Sequence, residues 1–66
     1  MRKFKHYKGG EYEYICEATH SETGEIFVVY RPLYNESGVW IRPKEMFFEN
    51  VEMEGQIVPR FKEILE

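Results

Sequence analysis

The sequence predicts an all-β fold, a small barrel of about five short antiparallel strands that ends in a short helical or 3-10 turn. A chain of 66 residues forms one domain, residues 1–66. Its apolar residues stand in short runs interrupted by glycine and proline, a pattern typical of strands and turns. Helical spacing of apolar residues occurs only at the C-terminal end. Closure into a barrel removes the exposed edges that a flat sheet would have.

The first predicted strand covers residues 11–20, directly after the glycine pair at 9–10. Polar and apolar residues alternate along it, so one face is expected in the core and its glutamates in water. The inward-facing residues are expected to be Tyr12, Tyr14, Cys16 and Ala18. Cys16 is therefore expected to pack as a small, unreactive apolar side chain.

The next two strands are predicted at residues 26–30 and 39–42, joined by a loop over residues 33–38. Residues 26–30 are apolar at every position, which favours a central strand covered on both sides. Pro32 ends this strand and a second proline ends the next, because proline has no N–H to donate to a neighbouring strand.

An antiparallel pairing of these two strands predicts which side chains share a face. In the simplest register Tyr30 lies opposite Trp40 and Val28 lies opposite Arg42, so these four residues share one face. Arg31 points to the other face, where we expect it to pair with a glutamate at the rim. A bulge would reverse this assignment by flipping one strand.

The remaining chain predicts one turn, one hairpin and a terminal helical segment. Residues 44–48 read as a turn or a single helical turn that carries Met46 and Phe47 inward. Residues 51–58 read as two strands around a two-residue turn that contains glycine. Apolar residues at i, i+3 and i+4 within residues 61–65 predict a short C-terminal helix or 3-10 segment that covers the core.

Charge is distributed unevenly along the chain. Residues 1–8 hold four basic residues and no acid, whereas the whole chain has nine basic and twelve acidic residues and a net charge of −3. This balance disfavours duplex nucleic acid as a partner, although a small basic patch could form beside the N-terminal arm. The single cysteine and the lack of an apolar signal core predict a cytoplasmic protein, and the lack of a long apolar run predicts no membrane span.

Five segments resemble a bacterial family of domains of unknown function, number 1653, in order and spacing. They are HYKGGEY (6–12), ATHSETGE (18–25), VVYRPLY (28–34), GVWIRPKEMF (38–47) and VPRF (58–61). Each segment is weak by itself, but together they cover most of the chain. The resemblance implies an SH3-like barrel in a small stand-alone protein, and it implies no particular function.

Catalytic and metal chemistry find little support in the residue types present. A structural zinc site needs four ligands, usually with a close Cys or His pair, and His6, His20 and Cys16 do not supply one. His20 stands beside a turn, where we expect its ring to bond the turn backbone rather than to work with Glu22 as an acid–base pair. The sequence therefore predicts no catalytic residues, no metal and no cofactor.

Aromatic residues are the strongest unusual feature. Eleven of the 66 residues are Phe, Tyr or Trp, more than so small a barrel can enclose. The rings could simply fill and rim a small core, or some could form an exposed binding row between loops. The candidate ligand-binding residues are Tyr7, Tyr30, Tyr34, Trp40 and Arg42, with His6 and Lys8 nearby.

These features favour a non-enzymatic binding module for a peptide, another protein or a small anionic ligand. The alternative is an accessory protein that binds single-stranded RNA or DNA, for which aromatic rings and the basic arm would serve stacking and backbone contacts. A small enzyme is the least favoured class, because barrels of this size rarely enclose a pocket that excludes water.

Overall fold

The computed structural model describes residues 1–65 and shows an all-β molecule with one helical turn. The strands are β1 (Arg2–His6), β2 (Glu11–Thr19), β3 (Ile26–Pro32), β4 (Trp40–Pro43), β5 (Asn50–Met53), β6 (Gln56–Pro59) and β7 (Phe61–Ile64), and α1 (Lys44–Phe47) lies between β4 and β5. Five strands form one antiparallel sheet in the order β4-β3-β2-β1-β7, and β5 and β6 form a separate hairpin. The predicted all-β class is confirmed. The sheet ends at β4 and β7, so the part of the chain described does not form the closed barrel that was expected.

The basic N-terminal segment is a strand inside the sheet, not an arm. β1 lies between β2 and β7 and alternates, with Phe4 buried and charged residues on either side of it. Its lysines Lys3 and Lys5 lie opposite Glu13 and Glu11 of β2. Opposite charges on facing residues stabilise a strand pair, which explains why a basic segment precedes an acidic one in the sequence.

A β-bulge interrupts β2 and overturns part of its predicted facing. Tyr14 pairs with Tyr30, but the next pair joins Cys16 to Val29, so Ile15 is an extra residue in β2. An extra residue reverses which face each later side chain occupies. The expectation that Cys16 is buried beside Tyr12 and Tyr14 is therefore wrong, and Cys16 is exposed.

The β3–β4 hairpin has the predicted register. Tyr30 pairs with Trp40 and Val28 pairs with Arg42. The expectation that β3 is covered on both faces is only half right, because Val28 and Tyr30 on one face are buried while Phe27 and Val29 on the other are only partly buried. The outer face of this hairpin remains open to solvent in the described structure.

The segment after β4 forms the predicted single helical turn, α1. Phe47 is fully buried, but Met46 is exposed, so only one of the two side chains expected inward reaches the core. The β5–β6 hairpin also matches the prediction, and its turn residues Glu54 and Gly55 have φ angles of 53° and 79°. Positive φ at both central positions is the geometry of a tight two-residue hairpin turn.

The C-terminal segment is a strand, which corrects the predicted helix. β7 pairs with β1, and Phe61 lies opposite His6. Phe61 is buried whereas Leu65 is 86% exposed, so the apolar stripe of a helix is not used. Pairing with β1 gives the backbone of β7 hydrogen-bond partners that a terminal helical turn would lack.

Aromatic rings form most of the core. The buried cluster comprises Phe4, Tyr12, Val28, Tyr30, Phe47 and Phe61. Phe47 stacks on Phe61 with ring centroids 4.1 Å apart and an interplanar angle of 4°. Contacts among Phe47, Phe61 and Tyr30 connect α1 with strands β3 and β7 of the sheet, so the rings form one continuous cluster.

Candidate functional site

Arg42 lies on the same face of the sheet as the buried rings. Its Nε donates a hydrogen bond to the Tyr30 hydroxyl at 3.2 Å, and its Cζ lies 5.6 Å from the centroid of the Phe61 ring. Tyr30 itself is only 2% exposed. Tyr30 was predicted to contact a ligand, but the structure places it in the core, where it orients the guanidinium of Arg42.

Arg42 differs from the other arginines in its charge partners. Arg2 pairs with Glu63 at 2.9 Å, Arg31 pairs with Glu13 at 2.6 Å and Arg60 pairs with a glutamate. The partner predicted for Arg31 at the rim is thereby confirmed. Within residues 1–65, Arg42 has no carboxylate at ion-pair distance. Its guanidinium is therefore left with cationic binding capacity that the described residues do not neutralise.

Trp40 and Tyr34 lie at the edge of the same ring cluster. Trp40 is half-buried and its ring centroid lies 6.0 Å from that of Tyr30, edge to face. Tyr34 is 56% exposed, and its hydroxyl lies 2.9 Å from the hydroxyl of Tyr12. Burial, together with this hydrogen bond, raises the pKa of Tyr12 to about 12. Trp40 and Tyr34 thus present aromatic surface to solvent while buried neighbours hold them in place.

His6 packs edge to face against the buried ring of Phe61. Its ring centroid is 4.9 Å from that of Phe61, so His6 and Arg42 both contact the same ring. Burial lowers the pKa of His6, and the positive charges of Arg42, Arg60 and Lys8 lower it further. Its Nδ1 accepts a hydrogen bond from the backbone N–H of Lys8 at 3.1 Å, so the proton of the neutral ring lies on Nε2.

We call the surface formed by His6, Tyr34, Trp40 and Arg42 the aromatic–cationic surface. The sequence predicted three of these residues as ligand-binding and placed His6 nearby. It did not single out Arg60, whose charge acts on His6, or Phe61, whose ring both His6 and Arg42 contact. The prediction of a terminal helix concealed the role of Phe61, because only the strand β7 brings Phe61 opposite His6.

Tyr7 does not join this surface. Its ring contacts His6 at 4.7 Å between centroids and lies under the Lys8 ammonium at 5.7 Å. It lines a different feature, a cleft of about 260 Å³ beside the β5–β6 hairpin. The structure therefore brings together four of the five predicted site residues and separates Tyr7 from them.

Two further clefts lie away from the aromatic–cationic surface. One of about 330 Å³ lies between the β2–β3 turn and the start of α1, and one of about 200 Å³ lies beside His20 and Phe27. Neither is lined by Trp40, Tyr34 or Arg42. The aromatic–cationic surface is accordingly a face of the molecule and not one of these clefts.

His20, which was considered for catalysis, hydrogen-bonds the backbone of its own turn. His20 Nδ1 accepts hydrogen bonds from the backbone N–H groups of Glu22 and Thr23, at 3.1 and 3.3 Å, as predicted for a turn histidine. The Thr23 hydroxyl accepts from the backbone N–H of Glu25 in the same turn. Among residues 1–65 no three His, Cys, Asp or Glu side chains group as metal ligands. The same part of the chain contains no helix long and apolar enough to cross a membrane.

Comparison with known proteins identifies relatives by sequence and by structure. The model of a family described as "Protein of unknown function (DUF1653)" matches residues 2–63. A crystal structure of a protein of that family from Bordetella bronchiseptica is 34% identical to this chain, with a TM-score of 0.82. The match covers 91% of this chain and 80% of that one. Among curated proteins, no match is found.

Proposed function

The chain belongs to the DUF1653 family, whose description assigns no activity, and from the geometry of the site we propose that it is a non-enzymatic module that binds a peptide or small anionic ligand. The ligand lies on the aromatic–cationic surface. Its negative group meets Arg42, and its flat or apolar part packs against Trp40 and Tyr34.

The observation that carries this proposal is the state of Arg42. Tyr30 and Phe61 hold the guanidinium in one place through a hydrogen bond and a ring contact. Only Nε is used in that hydrogen bond, so the two terminal nitrogens remain available to a ligand. A guanidinium presents a planar pair of donors that matches a carboxylate or phosphate bidentately, and preorganisation lowers the entropy lost on binding.

The neighbouring rings supply the second part of a recognition surface. Trp40 and Tyr34 expose aromatic area at the border of a rigid core, and the Tyr34 hydroxyl can exchange hydrogen bonds. Trp, Tyr and Arg are the residue types that carry most of the free energy at protein interfaces. These groups recognise a partner, and none of them is an activated nucleophile, which is why we propose binding without catalysis.

Fluorescence of Trp40, the one tryptophan in the sequence, offers a direct test. The probe is an acidic peptide with a central tyrosine, blocked at both ends. We expect a saturable change in emission, and we expect Arg42→Gln to weaken binding by about ten-fold, ~1.4 kcal/mol. Arg31→Gln is the matched control, because it removes the same charge from an arginine on the other face that already has a carboxylate partner.

Equal effects of the two substitutions would overturn the proposal, as would the absence of any saturable change at millimolar peptide. Single-stranded oligothymidylate is the competing probe. If it binds tightly with a steep salt dependence while the peptide does not, the alternative nucleic-acid function replaces this one.

A further inference from the structure

The cleft beside the β5–β6 hairpin has two lysines and a histidine among its lining residues. Its volume is about 260 Å³, and its walls come from the end of β1, from β5 and β6, and from β7. The lining residues are Lys5, His6, Tyr7, Met53, Val58, Pro59 and Lys62. We call it the β1–β6 cleft.

Two lysines lie side by side on one wall of this cleft. In the β1–β7 pairing, Lys5 lies directly opposite Lys62. Facing residues of an antiparallel pair have Cβ atoms about 4.5–5.5 Å apart, and like charges at that position destabilise the pair. An anion between the two ammonium groups would convert this repulsion into two attractions.

Residues 1–65 do not neutralise this pair. Within residues 1–65, neither Lys5 nor Lys62 has a carboxylate at ion-pair distance, whereas Lys44 pairs with Glu17 at 2.9 Å. Glu11 lies opposite Lys5 in β2, but a carboxylate oxygen of Glu11 is 3.7 Å from the ammonium of Lys3. The two cleft lysines are therefore open to an external anion.

The opposite wall of the cleft is apolar. Met53 is 40% exposed and lines the cleft together with Val58 and Pro59 of the facing strand β6. Methionine adapts its shape to different apolar partners because its side chain is unbranched and flexible. The cleft thus offers an apolar contact next to a pair of positive charges.

We propose that the β1–β6 cleft binds the C-terminal carboxylate of a peptide that ends in an apolar residue. The carboxylate lies between the ammonium groups of Lys5 and Lys62, and the terminal side chain packs against Met53, Val58 and Pro59. The volume of about 260 Å³ is below the roughly 300–1,000 Å³ of pockets for drug-sized ligands, and it suits one residue with its carboxylate. Compact ammonium charges suit a carboxylate held by two separate donors.

The assignment to a chain terminus follows from the combination of charge and shape. An internal acidic side chain would bring a charge without an adjoining apolar group, and an internal apolar residue would bring no charge. A C-terminal apolar residue carries a negative carboxylate and an apolar side chain on the same Cα. The rest of the peptide would leave the cleft past Tyr7.

The experiment is an NMR titration with the full chain labelled at methyl groups. The probe is an acetylated tetrapeptide ending in leucine, compared with the same peptide as its C-terminal amide. We expect the acid to shift the methyl signals of Met53 and Val58 saturably and the amide to bind at least ten-fold more weakly. Lys62→Gln should weaken binding of the acid, and Lys44→Gln, which removes one charge elsewhere, should not.

Three outcomes would overturn the proposal. Equal binding of acid and amide would show a purely apolar contact, and an equal effect of Lys62→Gln and Lys44→Gln would show a diffuse charge effect. Hexanoate binding as tightly as the peptide would show that the cleft accepts small apolar acids instead of chain termini.

A third variant separates this site from the aromatic–cationic surface. Arg42→Gln is expected to leave binding of the leucine-terminated peptide unchanged, so the two proposals succeed or fail independently. Loss of that binding in Arg42→Gln would mean that the β1–β6 cleft is not a site of its own, and would overturn the inference.

Discussion

His6 occupies the position where the two proposed binding surfaces meet. Its ring packs against Phe61, the ring that Arg42 also contacts, and it also lines the β1–β6 cleft. The pKa of a histidine in such surroundings responds to the charges near it, which here are those of Arg42, Arg60 and Lys8. Burial and three nearby cations oppose a positive charge on this ring, so its protonation disfavours the folded state.

The first prediction concerns how protonation of His6 affects stability. Because the folded state lowers the pKa of His6 below the ordinary value of about 6.5, the unfolded state binds the proton more readily. Stability from neutral His6 is thus fully present above about pH 6.5 and is lost as pH falls through the folded pKa. His6→Gln should reduce the fall in unfolding free energy between about pH 7 and pH 5, measured by urea denaturation.

An NMR titration of the His6 ring checks the cause directly. The apparent pKa should lie below the ordinary histidine value, and Arg42→Gln should raise it, because Arg42 is the first of the charges that lower it. A pKa at or above the ordinary value would contradict the electrostatic account of this site.

Single residues also explain one wrong prediction, the facing of Cys16. The alternation of Tyr12, Tyr14 and Cys16 reads as one inward face whether or not a residue is inserted between them. The pairing with β3 shows that Ile15 is the inserted residue. Only the partner strand reveals a bulge of this kind, because a bulge is defined by two residues facing one.

At the scale of elements, the turn between β1 and β2 supports the aromatic–cationic surface. Gly9 and Gly10 have φ angles of 99° and 88°. A Cβ at Gly10 would lie 3.1 Å from a ring carbon of Tyr34, whereas a Cβ at Gly9 would meet nothing within 4 Å. The turn therefore holds Tyr34 by close approach at one glycine and needs only backbone freedom at the other.

The second prediction compares alanine at these two glycines. Gly9→Ala should lower the free energy of unfolding by roughly 1–2 kcal/mol, because the positive φ of Gly9 favours glycine. Gly10→Ala should lower the free energy of unfolding more than Gly9→Ala does, since the added Cβ would also displace Tyr34. Urea denaturation of both variants measures the difference, and repeating it in a Tyr34→Ala background should remove that difference. Equal costs in the normal background would mean that Tyr34 is not held by this contact.

Elements also show why the C-terminal segment was mispredicted. The helical spacing rested on Phe61, Ile64 and Leu65 alone, which is less than two turns. Short helices are marginal without tertiary packing, and β1 offers residues 61–64 a complete strand partner. The β3–β4 register was predictable because a loop of fixed length joins two adjacent strands, and turn geometry sets such registers.

For the whole molecule, the buried core consists mainly of aromatic side chains. A domain of 66 residues buries only about 60% of the surface of its unfolded chain, so each large core side chain matters. Phe47 is fully buried and contacts Phe4, Tyr14, Tyr30 and Phe61. One residue of α1 thus connects strands β1, β2, β3 and β7.

The third prediction concerns the contribution of the Phe47 ring to stability. Phe47→Ala should lower the free energy of unfolding by about 3–5 kcal/mol, which approaches the total stability of a small domain. Phe48→Ala is the control, because its ring is 44% exposed and its loss leaves no enclosed cavity. Circular dichroism during urea denaturation measures both. Similar losses for the two variants would show that the core does not depend on the Phe47–Phe61 stack.

The sequence by itself determined the all-β class, the turns, the β3–β4 register and three of the four residues on the aromatic–cationic surface. These features depend on neighbouring residues, since glycine and proline set turns and alternation sets faces. The tertiary structure alone decided that Tyr30 is buried, that β1 and β7 pair, and that Arg42, Lys5 and Lys62 lack carboxylate partners among residues 1–65. Those features join residues far apart in the chain, and local sequence patterns carry no information about which distant residue will meet a given strand or charge.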